Sequence, residues 1–378
     1  MKIASLVLAP LRIPFRVAFK HASAERSVTQ SVWVTVQAES LTGYGEGCPR
    51  DYVTGETDAS VAAFFEKSRA SIMDGVTDLL SLQKWRHAHR QDIDHNPAAW
   101  CAIELALLDL LARQHNQSVE ALLGLPLLAG PFTYSAVLGA MGTQQFSETL
   151  GRYRKLGIRD YKIKLSGNID RDRANLAILR AADIAPAQVR ADANNLWTNP
   201  GEAHAYLKSL DFPFSAIEEP FKAGRFADLA SLADSLATRI ILDESVTREG
   251  QIAQLPGTPE QWIVNLRVSK MGGLLRSLEM VDFCRERGLA LIVGAQVGET
   301  SLLTRTALIV AQAARDILIA QEGAFGTLLL ESDAVQPALM FGTKGELDTL
   351  SLQLGRSPGL GLTPIPDLAK RYLGPAAQ

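Results

Sequence analysis

The sequence predicts an α/β fold in which a modified (β/α)7β barrel follows an α+β capping domain. The chain has 378 residues, longer than a single hydrophobic core usually supports, so two domains are expected. Strand and helix patterns mix in the first 128 residues, whereas short apolar strands alternate with amphipathic helices after them. We therefore predict a capping domain over residues 1–128, completed by the tail 350–378, and a barrel over 129–349.

Composition argues against several classes of protein. The net charge of −3 and the scattered basic residues give no basis for binding nucleic acid or an anionic membrane. Cys48, Cys101 and Cys284 are odd in number and widely spaced, which argues against a disulfide framework or a zinc ribbon. Pro10 and Arg12 interrupt the apolar N-terminal stretch, and no run reaches the roughly 18 apolar residues of a membrane helix. We expect a cytoplasmic protein.

The first 128 residues contain strands followed by helices. Strands are predicted over residues 3–14, 31–38 and a short segment around 43–47, and helices over 58–74 and 79–89. The next helix has the clearest pattern, because Asn96 can cap it, Pro97 suits its first position and apolar residues recur at helical spacing up to Leu111. Glycines between residues 43 and 47 supply turn chemistry around the third strand.

The remainder of the chain repeats a strand–helix unit. Its strands are predicted over residues 132–137, 161–165, 189–193, 215–219, 240–244, 262–268, 290–295 and 317–321. Eight such strands separated by helices close a TIM-like barrel.

Six polar residues recur with the period of this unit. Lys164, Asp192, Glu218, Asp243, Lys270 and Glu299 follow one another at intervals of 28, 26, 25, 27 and 29 residues. Each lies at or just beyond the C-terminal end of a predicted strand, and these ends converge at the mouth of a (β/α) barrel. The period therefore predicts one site built from all six residues.

The residue types of this set suit one chemistry. Three carboxylates on adjacent strands are the hard oxygen ligands that Mg²⁺ prefers, and a cation relieves their mutual repulsion. A lysine beside a metal ion and a second lysine is pushed toward its neutral, basic form. Proton abstraction next to a carboxylate produces an enediolate, which Mg²⁺ stabilises while a lysine takes the proton. We therefore predict a Mg²⁺ cofactor and a small-molecule carboxylate substrate.

Five ordered motifs resemble the muconate-lactonizing branch of the enolase superfamily, and the resemblance covers nearly the whole chain. They are Lys162-Ile163-Lys164, Asp192-Ala193-Asn194, Ile217-Glu218-Glu219-Pro220, Leu242-Asp243-Glu244-Ser245 and residues 265–270. This branch includes dipeptide epimerases, N-acylamino acid racemases, o-succinylbenzoate synthases and muconate cycloisomerases.

The resemblance implies a role for each residue of the barrel set. Lys164 and Lys270 would be the opposing bases, and Asp192, Glu218 and Asp243 the metal ligands, which decides between adjacent acids that the pattern alone leaves open. Lys162 would lower the pKa of Lys164 or pair with a carboxylate. Asn194 would be a loop residue or support the metal ligands, and Glu299 would orient Lys270, bind substrate or form an ion pair.

Two departures from the family pattern bear on the substrate and the metal ion. Arg267 stands where relatives usually carry lysine, so the charge is kept but the donor geometry differs. Dipeptide epimerases carry Asp-x-Asp on the eighth strand to hold the substrate ammonium group. Here Ala320-Gln321-Glu322-Gly323 keeps at most one acid, Glu322, as a candidate substrate residue.

Two segments of the capping domain resemble the loops of dipeptide epimerases that contact the distal part of the substrate. Arg26, Arg50 and Tyr52 are the candidate substrate residues there, and either arginine could pair with a distal carboxylate. By resemblance, a homo-oligomer is also expected.

Four functions remain open at this stage. The first is a racemase or epimerase of an N-acyl amino acid or dipeptide-like acid, and the second a cycloisomerase or β-eliminating enzyme on the same scaffold. A Schiff-base lyase and a non-catalytic binding barrel are more distant alternatives.

Overall fold

The computed structural model describes residues 2–21 and 24–376. The chain begins with a small α+β unit of strands and helices. Its strands are β1 (Ser5–Leu11), β2 (Pro14–His21), β3 (Ala24–Val28), β4 (Ser31–Ala38) and β5 (Leu41–Gly47). Its helices are α1 (Asp51–Thr54), α2 (Asp58–Gly75), α3 (Leu79–Ala88), α4 (Arg90–His95), α5 (Pro97–Gln114) and α6 (Val119–Leu122). β1, β4 and β5 form one antiparallel sheet, and β2 and β3 form a separate hairpin that the sequence analysis did not predict.

Helix α5 is buried on nearly all sides and packs against β5. The glycines of β5 explain this close contact. An added Cβ at Gly43, Gly45 or Gly47 would overlap with a backbone carbonyl oxygen of α5. These glycines therefore allow a helix to approach a strand, rather than forming the turns that the sequence analysis assigned to them.

A parallel sheet of eight strands follows. After β6 (Pro131–Thr133), its strands are β7 (Ala136–Leu138), β8 (Tyr161–Lys164), β9 (Val189–Asp192), β10 (Ala216–Glu218), β11 (Arg239–Leu242), β12 (Trp262–Leu266), β13 (Ala290–Val293) and β14 (Leu318–Gln321). The connecting helices are α7 (Thr143–Lys155), α8 (Ile169–Ala181), α9 (Pro200–Ser209), α10 (Phe226–Leu236), α11 (Glu249–Ile252), α12 (Val268–Met271), α13 (Leu274–Glu286) and α14 (Ser301–Ala313). The strands pair in sequence order, as predicted for a (β/α)7β barrel.

The two ends of this sheet meet, so the barrel closes. The amide of Ser135, just before β7, donates a hydrogen bond of 2.8 Å to the carbonyl oxygen of Gln321 at the end of β14. Four apolar side chains from consecutive or neighbouring strands form a separate cluster: Ala216, Ile241, Ile263 and Ile292. Ala216 and Ile241 lie two residues before Glu218 and Asp243, so this cluster shares the sheet face of the candidate site residues.

One predicted barrel strand is wrong. The segment 132–137 was predicted as a single strand, but β6 pairs antiparallel with β16 (Glu346–Asp348), and only β7 joins the barrel. Between them, Tyr134 and Ser135 take no strand conformation. Apolar content alone does not distinguish a barrel strand from an adjoining short strand of another sheet.

The chain after the barrel returns to the N-terminal sheet. It contains β15 (Val335–Gln336), β17 (Thr363–Pro364) and α15 (Leu368–Tyr372) in addition to β16. Arg12 donates its amide to the carbonyl oxygen of Tyr372 at 2.9 Å, and Gly374 donates to Pro10 at 2.9 Å. The domain limits at residues 128 and 349 stay predictions. In the part of the chain that the structure describes, no helix combines the length and apolar character needed to cross a membrane.

Candidate active site at the barrel mouth

The six periodic residues lie at one end of the barrel. Lys164, Asp192 and Glu218 are the last residues of β8, β9 and β10, and Asp243 is the first residue after β11. Lys270 lies on α12, shortly after β12, and Glu299 lies in the loop between β13 and α14. β9 and β10 pair Asp192 with Glu218, and β8 and β9 pair Lys164 with Asp192, so three of these residues are direct neighbours in the sheet.

Buried cations connect the carboxylates of the mouth. The Nζ atom of Lys162 lies 3.0 Å from Glu218 Oε2, 2.6 Å from Glu322 Oε2 and 3.9 Å from Asp192 Oδ2. Burial works to lower the pKa of Lys162, but these three carboxylates outweigh it and raise that pKa. Lys162 is therefore a charged partner of the carboxylates, which is one of the two roles that the sequence analysis left open.

Lys164 contacts the neighbouring strand. Its Nζ atom lies 3.0 Å from Asp192 Oδ2 and donates to Asn194 Oδ1 at 2.8 Å. Burial alone would raise the pKa of Asp192, but Lys164 and Lys162 outweigh burial and lower it to about 2. Asn194 also donates its backbone amide to Asp192 Oδ1 at 3.0 Å, so it orients both the acid and the lysine.

Lys270 is completely buried and its three N–H groups all have acceptors. Its Nζ atom donates to the Asp243 carbonyl at 2.6 Å, to Asp243 Oδ1 at 3.0 Å and to the Asn265 carbonyl at 2.7 Å. Burial lowers the pKa of Lys270, against the opposing effect of Asp243, with nearby Arg267 adding to the decrease. Asp243 and Asn265 thus orient Lys270, and Glu299 does not.

The adjacent acids Glu218 and Glu219 face different partners. Glu218 accepts hydrogen bonds from Lys162 and from Asn265 Nδ2, the latter at 3.1 Å. Burial raises the pKa of Glu218 to about 7, with the nearby carboxylates adding to the increase and Lys162 opposing it. Glu219 instead accepts the amides of Asp243 and Ser245 at 2.7 and 2.8 Å, so it holds the loop that carries Asp243.

The guanidinium of Arg267 lies among the predicted metal ligands. Its Nη2 atom forms an ion pair with Asp243 and lies 3.8 Å from Glu218 Oε1, and its Nη1 atom donates to Gln296 at 3.0 Å. Burial works to lower the pKa of Arg267, but Asp243, Glu244, Glu218 and Tyr52 outweigh it and raise that pKa.

The donor set of the mouth fits Mg²⁺ in its chemistry. Asp192, Glu218 and Asp243 supply carboxylate oxygens, the ligands that this ion prefers, and all three gather around shared cationic partners. Within residues 2–21 and 24–376, however, no three His, Cys, Asp or Glu side chains are spaced to hold a metal ion together. Asp192, Glu218 and Asp243 are the residues that would hold the ion, and the ion would supply positive charge there.

Glu322 forms ion pairs inside the barrel. Its Oε2 atom contacts Lys162, and its Oε1 atom lies 3.4 Å from Arg190 Nη2, which also donates to Ser135 at 2.8 Å. Burial works to raise the pKa of Glu322, but Lys162 and Arg190 outweigh it and lower that pKa. Glu322 is thus a carboxylate whose charge is already balanced by two cations.

The capping-domain candidates differ from one another. Arg26 donates to Gln30 at 2.8 Å and to the Tyr52 hydroxyl at 3.3 Å, and its guanidinium lies 5.2 Å from the Tyr52 ring centre. Arg50 is buried and donates at 2.7 Å to the carbonyl oxygens of Gln30 and Val297. Arg50 therefore ties the capping loop to the loop after β13, and its role in substrate binding stays a prediction.

Glu299 lies in the loop between β13 and α14. Its Oε1 atom accepts the amide of Gln296 at 2.6 Å. Burial raises its pKa to about 7, against the opposing effects of this hydrogen bond and of Arg267 and Arg50. A role in substrate binding stays a prediction.

The sequence analysis assigned no site role to three polar residues of the mouth: Arg190, Glu219 and Asn265. Arg190 and Asn265 could have been found by alternation, because they lie two residues before Asp192 and Arg267 and so share a face of their strands. Glu219 has a positive φ of 38°, which breaks this alternation, so the sequence pattern gave no signal for its direction.

Comparison with known proteins agrees with this architecture. Residues 3–124 match the family model for the N-terminal domain of mandelate racemase and muconate lactonizing enzyme, and residues 145–368 match the enolase C-terminal domain-like model. A hydrophobic dipeptide epimerase of Enterococcus faecalis is 26% identical over 96% of this chain and 100% of its own length. An N-succinyl-L-Arg/Lys racemase of Bacillus cereus is 24% identical over 96% of this chain and 95% of its own.

A solved structure with magnesium is among the similar folds. The dipeptide epimerase of Enterococcus faecalis, complexed with Mg and the dipeptide L-Leu-L-Tyr, has a TM-score of 0.81 and 25% sequence identity, covering 96% of this chain and 100% of its own. Two family models that together cover most of the chain, with strands and motifs in the matching order, establish its membership. The chain is an enzyme of the enolase superfamily and belongs to its muconate-lactonizing subgroup.

Proposed function

We propose that this enzyme inverts the α-carbon of an N-acylated amino acid or dipeptide-like acid. The observation that carries the proposal is the position of two lysines. Lys164 ends β8 and Lys270 follows β12, and these strands lie four places apart in a closed sheet of eight. The two ammonium groups thus approach the mouth from opposite walls, as removal of a proton from one face and its return to the other require.

The two lysines have opposite roles in proton transfer. One neutral lysine takes the α-proton at Nζ, and the opposing lysine donates a proton from its own Nζ to the other face of the planar intermediate. Asn194 and Asp192 orient Lys164, and Asp243 and Asn265 orient Lys270. Asp192, Glu218 and Asp243 are the proposed Mg²⁺ ligands, and Mg²⁺, when bound, supplies positive charge for the carboxylate oxygens of the substrate.

The eighth strand favours substrates without a free α-ammonium group. A substrate ammonium group needs a carboxylate acceptor, and the acid at this position, Glu322, is already paired with Lys162 and Arg190. A third cation would have to compete with both in a buried site. An N-acyl group carries no charge at the α-nitrogen, so it avoids this competition.

The capping domain provides a candidate site for the distal end of the substrate. Arg26 and Tyr52 contact each other, and Tyr52 lies close enough to Arg267 to affect its pKa. We propose that Arg26 binds a distal carboxylate, such as that of an N-succinyl group, because a guanidinium can donate two parallel hydrogen bonds to it.

One observation favours a second candidate, a cycloisomerisation or β-elimination with a single base. Lys270 is fully buried and all three of its N–H groups have acceptors, as expected for a lysine that acts only through its charge. In that reaction Lys164 alone would transfer the proton.

The test is α-proton exchange in D₂O with Mg²⁺ present. N-succinyl amino acids, N-acetyl amino acids and dipeptides are offered separately, and mass spectrometry and chiral chromatography report deuterium gain and inversion. We expect EDTA-sensitive exchange with inversion, strongest for the N-acyl compounds, and a large loss of inversion in Lys164→Ala. The exposed lysine variant Lys222→Ala is the matched control and should retain activity.

Three outcomes would change the proposal. A lactone, or loss of water without inversion, would favour the single-base alternative. Faster turnover of dipeptides than of N-acyl compounds would contradict the role given to Glu322. Absence of deuterium exchange with all three classes of compound, while Mg²⁺ binds to the folded protein, would overturn the proposed inversion.

A further inference from the structure

A polar cavity of about 130 Å³ lies between the capping helices and the barrel, outside the candidate active site. Arg86 of α3 and Arg90 of α4 line it from one side. Arg248, just before α11, and Arg276 of α13 line it from the other. Four guanidinium groups from both parts of the chain therefore meet around one small cavity.

Positive charge exceeds negative charge in this lining. Against its four arginines stand two glutamates, Glu249 and Glu279. Glu279 pairs with Arg86, and Glu249 lies 3.3 Å from Arg90. Asp94 pairs with Arg276 at 2.5 Å and lies 3.9 Å from Arg248, so the four arginines still outnumber the three acids that pair with them.

Two arginine N–H groups of the lining are buried and have no acceptor among the described residues. Both Nη atoms of Arg86 bind Glu279, but its Nε atom has no partner. Arg276 binds Asp94 through Nη2, but its Nη1 atom has no partner. Buried N–H groups are nearly always hydrogen-bonded in folded proteins, so these two donors are available to an acceptor that enters the cavity.

We propose that this cavity binds a small oxyanion, a phosphate or a compact carboxylate, through Arg86 and Arg276. Guanidinium N–H groups match the oxygen geometry of both anions. A single water molecule needs about 10–15 Å³ of cavity volume of this kind, so the cavity has room for one such anion.

The position of the cavity gives the anion a structural effect. Arg86 belongs to the capping part of the chain and Arg276 to the barrel, so an anion bound to both joins α3 to α13. Ligands that bind only the folded state stabilise it by mass action. Binding should therefore raise the melting temperature in a saturable way.

The experiment is a thermal-unfolding titration with phosphate and, separately, malonate in EDTA, against chloride at matched ionic strength. The variants are Arg276→Gln and Arg86→Gln, each compared with its own melting temperature without anion. Arg285→Gln is the matched control, because Arg285 lies on the same helix and pairs with Asp316 outside the cavity. Lys164→Ala tests for binding at the barrel mouth instead.

We expect a saturable rise in melting temperature for the wild type, Arg285→Gln and Lys164→Ala, and an affinity about tenfold weaker in Arg276→Gln and Arg86→Gln, as for loss of one charged hydrogen bond. The anion with the lower Kd identifies the ligand as phosphate or carboxylate. A rise no larger than that with chloride, an unchanged affinity in both cavity variants, or loss of the effect in Lys164→Ala would overturn the proposal. None of these results depends on the proposed inversion activity.

Discussion

Two groups of buried carboxylates have opposite electrostatic surroundings in this molecule. At the barrel mouth, Asp192, Asp243 and Glu322 each contact lysine or arginine side chains. In the capping part, Glu46, Glu56 and Glu104 accept hydrogen bonds from backbone amides at the N-terminal ends of α14, α5 and α13. Both groups are almost completely buried, so the difference lies in the partners and not in the exposure.

The pKa values follow the partners. Lysine and arginine hold the pKa values of Asp192, Asp243 and Glu322 below their ordinary values despite burial. Burial raises the pKa of Glu46 to about 8 and those of Glu56 and Glu104 to about 7, because their hydrogen bonds, and for Glu104 the charge of Arg86, only partly offset it. A helix N-terminus carries only about half a charge, which compensates burial less than a full cation does.

The comparison separates two uses of buried acids. Acids paired with cations remain charged at neutral pH, which suits a site that binds a metal ion and stabilises developing charge. Acids held by backbone amides have raised pKa values, and two of them, Glu46 and Glu104, also join the capping part to helices of the barrel. Three acids at the mouth differ from this pattern, since burial raises the pKa values of Glu218, Glu219 and Glu299 to about 7.

The largest expected effect comes from removing a cation of the mouth. Lys162→Ala leaves Glu218 and Glu322 without their shared ammonium group, and breaking a buried ion pair costs about 3–5 kcal/mol of unfolding free energy. Urea denaturation in EDTA at pH 7 measures this loss. The matched control is Lys67→Ala, which removes an exposed ion pair with Asp92 at 2.9 Å and should cost about 1 kcal/mol or less. Equal losses in the two variants would contradict the comparison.

The next largest effect is on the pH dependence of the unfolding free energy, to which Glu46 of the capping part contributes. Burial raises the pKa of Glu46 from 4.5 to about 8, so the folded protein keeps this proton over a range in which the unfolded chain loses it. The stability from Glu46 is therefore fully present below about pH 4.5 and is lost as pH rises toward 8. Glu46→Gln should reduce the decline in unfolding free energy between pH 5 and pH 8 by about 3 kcal/mol.

The measurement is a series of denaturation curves across this pH range. Glu286→Gln is the control, because Glu286 is exposed on α13 and should leave the wild-type pH slope unchanged. If Glu46→Gln also keeps the wild-type pH slope of the unfolding free energy, the proton on Glu46 does not contribute to that slope, and the comparison is wrong for this residue.

A smaller effect is expected at the proposed metal site. Arg267 pairs with Asp243 and lies near Glu218, so its guanidinium would compete with Mg²⁺ for these carboxylates and repel the ion. Arg267→Gln should bind Mg²⁺ about tenfold more tightly, as removal of a charged hydrogen bond implies. Isothermal titration with Mg²⁺ measures the affinity directly, without substrate. Weaker binding in this variant would show that Arg267 supports the metal site instead of competing with it.

Strand–helix alternation predicted the barrel because each unit repeats with a similar length, and the same period predicted which polar side chains meet. The first barrel strand was misplaced, since β6 and β7 are separated by only two residues but belong to different sheets. The hairpin of β2 and β3 was missed, because no strand was predicted between residues 14 and 31.

The partners of each site residue could not be predicted from the sequence. Lys162 and Lys164 are two residues apart on one strand, yet Lys162 bridges Glu218 and Glu322 whereas Lys164 contacts Asp192 and Asn194. These choices depend on the depth of each side chain in the barrel, which the spacing does not encode. The arginine cavity was also not predicted, because its members come from separate helices without a common period.

The most direct test of the two-base account measures deuterium exchange for each enantiomer of an N-acyl amino acid separately, in Lys164→Ala and in Lys270→Ala. Because each lysine lies on one wall of the barrel, each variant should retain exchange with only one enantiomer, and the two variants should retain opposite ones. Inversion should fall about 10³-fold in both, within the range for loss of a general base. Loss of exchange with the same enantiomer in both variants, or unchanged inversion in either, would contradict the account.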